Sequence, residues 1–291
     1  MNESERERVE AARALLNPCL VCPRKCRVNR LAGETGYCGI GPDAVVSSAG
    51  PHFGEEPPLV GHGGSGTIFL AGCNLLCRFC QNDDLSHGRR GRAVSLDECA
   101  AAMLALEAEG CHNINFVTPT HVMPQLLEAV ILARQRGLRV PVVWNCGGYE
   151  SVESLRLLEG YVEIYMPDAK FADAGTAKRL ADAADYPEVM KAAIREMHRQ
   201  VGDLRVEHGV AVRGLLVRHL VMPEGLVEAR AVVDFLADEI SLHTCVNIMG
   251  QYHPEYHAHA DPVARGRPTP QEIAEARDYA LRRGLRLCDA L

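Results

Sequence analysis

The chain has 291 residues, 47% hydrophobic and 24% charged, with a formal net charge of −7. That is globular composition, enough for one large domain with or without a small appendage. The acidic balance speaks against broad electrostatic binding to nucleic acid, and no apolar run reaches the roughly 18–20 residues that span a bilayer. The amino-terminal stretch "MNESERERVEAARALLNP" reads as a charged helix without a signal-peptide core, so no membrane partner and a cytoplasmic location are expected.

Taken in chain order, residues 1–60 are rich in Cys, Gly, Pro and Arg and show little periodicity. They are expected to form a Cys-rich, metal-binding extension ahead of a main domain at 61–291. "GPHFGEEPPLVGHGGSG" reads as a long irregular connection. From residue 66 an alternation sets in. "GTIFLAG" reads as a buried strand, and "SLDECAAAMLALEAEG" as a helix with Ser95 as N-cap and Glu98 completing a capping box. "NINFVT", "VPVVWN", "VEIYMPD", "GLLVRHLVM" and "CVNIMG" follow as strands, each with a helical stretch behind it. Apolar strands alternating with amphipathic helices predict an α/β fold with a parallel sheet and right-handed crossovers. Six such units suit a doubly wound sheet or an incomplete barrel, and either places functional residues at the C-terminal ends of strands.

Twelve cysteines in a cytosolic chain point to metal ligands, catalytic thiols or small core residues before disulfides. Cys99, Cys111, Cys146, Cys245 and Cys288 are scattered, and most of them read as core. Cys73, Cys77 and Cys80 are not scattered. They stand at C-x3-C-x2-C directly after the first strand of the alternation, where one tight loop directs three soft thiolates at one object. Three thiolates on a four-iron cubane leave one iron open, as a catalytic centre requires and a closed structural zinc does not. Cys19, Cys22, Cys26 and Cys38 form a second group, C-x2-C-x3-C-x11-C. Their spacing fits a four-cysteine zinc site and an auxiliary iron–sulfur cluster alike. With no packed core expected around them, these four thiolates call for a metal.

The triad, with Phe79 before its last cysteine, resembles the C-x3-C-x-aromatic-C motif of the radical S-adenosylmethionine (SAM) superfamily. "GEEPPLVGHGGSGTIFLAGCNLLCRFCQN", "NINFVTPTH", "WNCGGYE", "YMPDAKF" and "VNIMGQYHP" together look like its PflX-like subgroup of pyruvate formate-lyase activating-enzyme-like proteins. The resemblance implies a partial (β/α)6 TIM-type barrel and a [4Fe–4S] cluster on Cys73, Cys77 and Cys80. It implies reductive cleavage of SAM to a 5′-deoxyadenosyl radical that takes hydrogen from a protein glycine or another substrate. It also implies a reductant such as flavodoxin or ferredoxin. The family's Gly-Gly-Glu stretch is replaced by Thr118-Pro119-Thr120-His121, so Thr118 and Thr120 stand where the SAM amino group would be met. Asn145 takes the place of the polar residue after the third strand. Asp168 and Lys170 match an Asp-x-Lys pair. Arg218, a charge inside an apolar strand, is expected to meet the SAM carboxylate, while His219 points the other way. Gln251 and Tyr252 are expected toward the substrate side. His253, His257 and His259 read as a solvated loop, and His198, Arg199 and Gln200 as substrate contacts or a helix end. The rival reading is a non-catalytic barrel holding structural zinc at both cysteine groups.

Overall fold

The computed structural model describes residues 1–290. In chain order it contains α1 (Glu3–Ala14), β1 (Ala44–His52), α2 (Pro57–Val60), β2 (Ser65–Leu70), α3 (Asp83–Ser86), β3 (Arg92–Val94), α4 (Leu96–Ala108), β4 (Ile114–Val117), α5 (Met123–Gln135), β5 (Val142–Cys146), α6 (Val152–Leu158), β6 (Ile164–Pro167), α7 (Ala174–Ala181), α8 (Tyr186–Val201), β7 (Arg205–Glu207), β8 (Val210–Leu220), α9 (Leu226–Phe235), β9 (Cys245–Met249), α10 (Pro270–Arg282) and β10 (Arg286–Leu287). The strands run in the order β10-β9-β8-β6-β5-β4-β2-β1-β3, with β7 paired to β8. The six strands expected from the sequence are β2, β4, β5, β6, β8 and β9, and every pairing among them is parallel. The fold is α/β, and its run of parallel strand–helix units accords with a partial barrel. The capping box on α4 is present, with Ser95 accepting from the Glu98 backbone and the Glu98 carboxylate returning to Ser95.

Alternation along the strands sorts the core into two shells. On β5, Val142 and Trp144 pack under the helices while Val143 and Asn145 face inward; on β8, Leu215 and Val217 pack outward while Leu216 and Arg218 face inward. Leu59 of α2, fully buried, closes one end of the interior against Val143, Ile164, Leu216, Cys245 and Cys288. A buried leucine of this kind stabilises the fold by roughly 1.5–3 kcal/mol. Ser65 and Asn113 bond each other beside Leu59 at that end, whereas Asn145, Asp168 and Arg218 lie toward the C-terminal ends of the strands.

Within residues 1–60, β1 pairs antiparallel with β2 and with β3, inside the same sheet. The expectation that no packed core surrounds the four cysteines is corrected: Ala12, Leu16, Val21 and Ile40 are buried in the main hydrophobic cluster. Arg30, 1% exposed, anchors the segment by donating to the carbonyls of Gly41 and His121. Arg24 does the same on the other side, donating to Asn74 at 2.8 Å and Ala181 at 2.7 Å. Among the described residues, no helix is long and apolar enough to cross a membrane.

Candidate active site

The C-terminal ends of the parallel strands surround a cavity of about 270 Å³. The β2–α3 loop brings Cys73, Cys77, Phe79 and Cys80 to it. The end of β4 contributes Val117 and Thr118, the end of β5 Asn145 and Cys146, the segment after β6 Asp168 and Lys170, and β8 Arg218. The sequence scatters these residues over nearly half the chain, and the parallel topology returns each to the same face.

The three thiols sit in different surroundings. Burial pushes the Cys77 thiol up to about 12, opposed mainly by the nearby Lys170 ammonium. Burial also raises Cys73, whose sulfur accepts from the Leu75 backbone N–H at 3.3 Å. Cys80 accepts from the Ser86 hydroxyl at 3.1 Å. Buried thiols of this kind ionise only with a cation to match them, so the donor set suits a soft metal centre. Phe79 is buried edge-on to Phe171 and Tyr252, at 6.0 and 5.9 Å, and fixes the loop between the last two cysteines. Gly148 is required by geometry: φ is +75°, and a Cβ there would lie 2.3 Å from the Asp168 carbonyl oxygen.

Opposite the cysteines lies a charged network. Arg218 Nε donates to Asp168 Oδ1 at 2.7 Å and its Nη2 to Asn145 Oδ1 at 2.6 Å. Lys170 Nζ donates to the second Asp168 oxygen at 2.6 Å. Burial works against the Asp168 carboxylate, yet Arg218 and Lys170 hold it below its ordinary range. The third guanidinium nitrogen, Nη1, faces Glu55 at 3.8 Å and Glu56 at 3.7 Å. Burial pushes the Glu55 carboxyl up, with Arg218 opposing and Glu56 reinforcing it. Glu56 also accepts from Asn247 at 3.1 Å, and its other oxygen is buried without a partner. Arg218 is therefore the hub that orients Asn145 and Asp168. This acidic pair is the part of the site that reading the sequence missed. Its only signal was two adjacent carboxylates before a Pro-Pro step in what looked like a loop.

Other expectations divide. Thr118 lines the cavity and holds a left-handed backbone, φ +60°, which a β-branched residue adopts only under constraint. Thr120 does not line it; its buried hydroxyl donates to Glu150, whose carboxyl burial pushes up to about 7. Cys146 lines the cavity as a buried thiol raised by burial and by Glu150. His219 faces away from it, bonded to the Ala169 carbonyl at 2.7 Å. Gln251 reaches the cavity, but Tyr252 is buried with its hydroxyl on the Ala264 carbonyl. His253 contacts Gln81 and Glu255. His198, Arg199 and Gln200 bond Asp203, Glu159 and Leu155 around the end of α8 and do not reach the cavity.

The four amino-terminal cysteines are gathered near the triad loop. A Cβ at Gly72, next to Cys73, would stand 2.9 Å from the Cys38 carbonyl oxygen. Burial pushes the Cys22 thiol up to about 12, and Cys38, Cys19 and Cys26 are all close enough to add to it. The Tyr37 backbone N–H donates to Cys26 Sγ at 3.3 Å, a contact that favours a thiolate there. Among the described residues no three such ligands already converge closely enough to hold an ion. The thiols are thus collected but not closed on a point. Cys99 and Cys111 are buried in the core as free thiols, whereas Cys245 and Cys288, also buried, are joined as a disulfide, against the expectation from the sequence.

Thiols gathered at the C-terminal face of parallel strands are a donor set for a soft metal centre, and comparison with known proteins gives the chain a family. The radical SAM superfamily profile matches residues 67–236, more than half of the chain. The chain belongs to the radical SAM superfamily and is an enzyme of that class, which sets aside the non-catalytic zinc reading. It is 33% identical over 283 residues to the uncharacterized protein MJ0674 of Methanocaldococcus jannaschii, covering 94% of this chain and 77% of that one. A solved structure, Streptococcus suis SuiB bound to S-adenosylmethionine, aligns with a TM-score of 0.47 and 11% identity, over 77% of this chain and 45% of SuiB. The chain thus spans less than half the length of that structure. Membership of the superfamily implies SAM and a [4Fe–4S] cluster as cofactors, with a reductant to supply the electron.

Proposed function

We propose that Cys73, Cys77 and Cys80 hold the [4Fe–4S] cluster with one iron left open, and that Thr118, Asn145, Asp168, Lys170 and Arg218 hold SAM against it. The single observation that carries this is that all eight residues line one cavity. When bound, the cluster and SAM together supply one-electron cleavage of a sulfonium bond and a radical able to take hydrogen from a substrate. The chain's own residues bind and orient. Lys170 is placed near the triad to meet the SAM carboxylate, Asp168 to accept from its ammonium or ribose, and Asn145, pinned by Arg218, to present its amide to the same groups. Apolar walls of Phe79, Val117 and Leu220 limit water around the reacting atoms.

The substrate reading is a glycine of a partner protein, in the manner of the activating-enzyme-like subgroup. About 270 Å³ is at the lower edge of what encloses a drug-sized ligand. With the cluster and SAM in this cavity, a substrate would meet the reacting atoms from its mouth, and a peptide glycine is a group small enough to do so. The test is anaerobic reconstitution and reduction followed by chromatography. The protein is expected to form 5′-deoxyadenosine and methionine slowly from SAM alone, and faster with its substrate. A reduced, cluster-loaded protein that never yields 5′-deoxyadenosine would overturn the assignment of these residues. Deuterium carried from a glycine-labelled partner into 5′-deoxyadenosine distinguishes a protein substrate from a small molecule.

Cys19, Cys22, Cys26 and Cys38 hold a second metal, zinc or an iron–sulfur cluster, which fastens residues 17–43. Because Arg24, Arg30 and the core contacts remain without it, replacing Cys19 and Cys22 with Ser is expected to loosen this segment and leave the rest folded. A loss on the order of 2–3 kcal/mol lowers the melting temperature by roughly 3–5 °C in a chain of this size. Limited proteolysis should then cut between residues 17 and 43. Unchanged melting and protease resistance would take the fastening role away from the quartet.

A further inference from the structure

We propose that Ser86, oriented by His87, is a positioning residue that raises the reduction potential of the cluster through a hydrogen bond to Cys80. The proposal rests on Cys80 being a cluster ligand. Ser86 closes α3, is 6% exposed and lines the cavity. Its Oγ lies 3.1 Å from Cys80 Sγ and 2.9 Å from His87 Nδ1. A hydroxyl has one proton and two acceptor positions. The proposal requires the His87 N–H on Nδ1, where the imidazole donates to Ser86 Oγ and the hydroxyl proton goes to the sulfur; the other tautomer turns the hydroxyl to the ring. The His87 ring is held in place by Tyr256, 4.2 Å between centroids, and Tyr256 in turn by His257 at 3.9 Å.

A hydrogen bond donated to a ligating thiolate draws electron density from the sulfur. It therefore favours the more negative, reduced cluster over the oxidised one and moves the potential upward. The three candidate ligands differ here. Cys73 receives a backbone N–H, which no substitution at Leu75 short of proline removes. Cys77 has the Lys170 charge nearby, and that ammonium also serves the SAM site. Cys80 alone of the three takes its donor from a side chain outside the SAM-binding network, so the potential can be set there without altering cofactor binding.

The experiment is a redox titration of reconstituted protein at one pH, followed by the paramagnetic signal of the reduced cluster. Ser86→Ala is expected to load the same iron as wild type. At the wild-type midpoint, its ratio of reduced to oxidised cluster should fall about tenfold, a shift of ~59 mV for one electron. Ser86→Thr, which keeps the hydroxyl, should restore most of it, and His87→Ala should shift it in the same direction by less. A Ser86→Ala potential equal to wild type would overturn the proposal. If Ser86→Ala fails to fold, an unshifted potential in His87→Ala overturns it instead. Failure of the underlying assignment looks different: Cys80→Ala would then keep its full complement of iron.

Discussion

Alanine at Cys73, Cys77 and Cys80 together is expected to remove one four-iron cluster per chain and reduce 5′-deoxyadenosine formation to background. The size of the effect follows from what the triad supplies. Cys73, Cys77 and Cys80 are the proposed ligands of the cluster, so their loss is expected to cost it and with it the electron for SAM. The fold should tolerate the change, because the loop is also held by Asn74, whose amide donates to the Tyr149 carbonyl at 2.7 Å, and by Arg24 bonded to the Asn74 carbonyl. Iron and zinc analysis reads a second quantity from the same variant. Whatever metal remains belongs to the amino-terminal quartet: residual iron marks a second cluster, and residual zinc with no iron marks a structural site. Iron content unchanged from wild type would remove the triad from the catalytic role.

The barrel and much of its site were legible in the sequence for a physical reason. Strands buried on both faces carry continuous apolar runs, and the polar exceptions within or just after them have to face a site. Arg218 in "LLVRHLVM" and Asn145 at the end of "VPVVWN" could be read this way, and both face the cavity. Glu55 and Glu56 could not, because their position depends on α2 folding back under β8, a long-range contact with no local periodicity. Thr120 was misplaced for a related reason. Thr118 and Thr120 are equivalent in an extended segment, but the chain turns into a 3₁₀ helix at Thr120–Val122, which carries Thr120 to Glu150 and leaves Thr118 at the cavity. β1 was missed because "AVVSSAGPH" mixes small, polar and turn-forming residues, a pattern suited to a strand with an irregular register that is paired on its outer side only along Ala44–Val46. The absent core around the quartet was a composition argument, and it failed because the segment borrows the core of the barrel.

Arg218→Ala is expected to keep the cluster and lose SAM affinity, by about 10- to 150-fold if one charge-assisted hydrogen bond worth roughly 1.5–3 kcal/mol goes with it. The structure gives the loss a specific route. Arg218 directs Asn145 through Nη2 and Asp168 through Nε, so its removal frees two groups proposed to meet SAM and removes a countercharge as well. Lys at this position restores one charge but cannot hold both partners at once, because its point charge lacks the fork; partial rescue is expected. The same substitution leaves Asp168 facing only Lys170 and takes from Glu55 the cation that opposes its raised carboxyl. Carboxylates deprived of a cation in a buried site take up protons more readily, so their folded pKa values rise above those of the unfolded chain. The sign follows: the variant is most stable below the ordinary carboxylate range and loses stability as the pH rises through the raised values. The melting temperature deficit of Arg218→Ala against wild type should therefore be larger at pH 8 than at pH 5, with a full cost on the order of 3–5 kcal/mol at the alkaline end. Anaerobic SAM titration and melting curves at the two pH values check both halves. SAM binding as tight as wild type would take Arg218 out of the cofactor site, and a deficit independent of pH would show that the acidic pair does not depend on it.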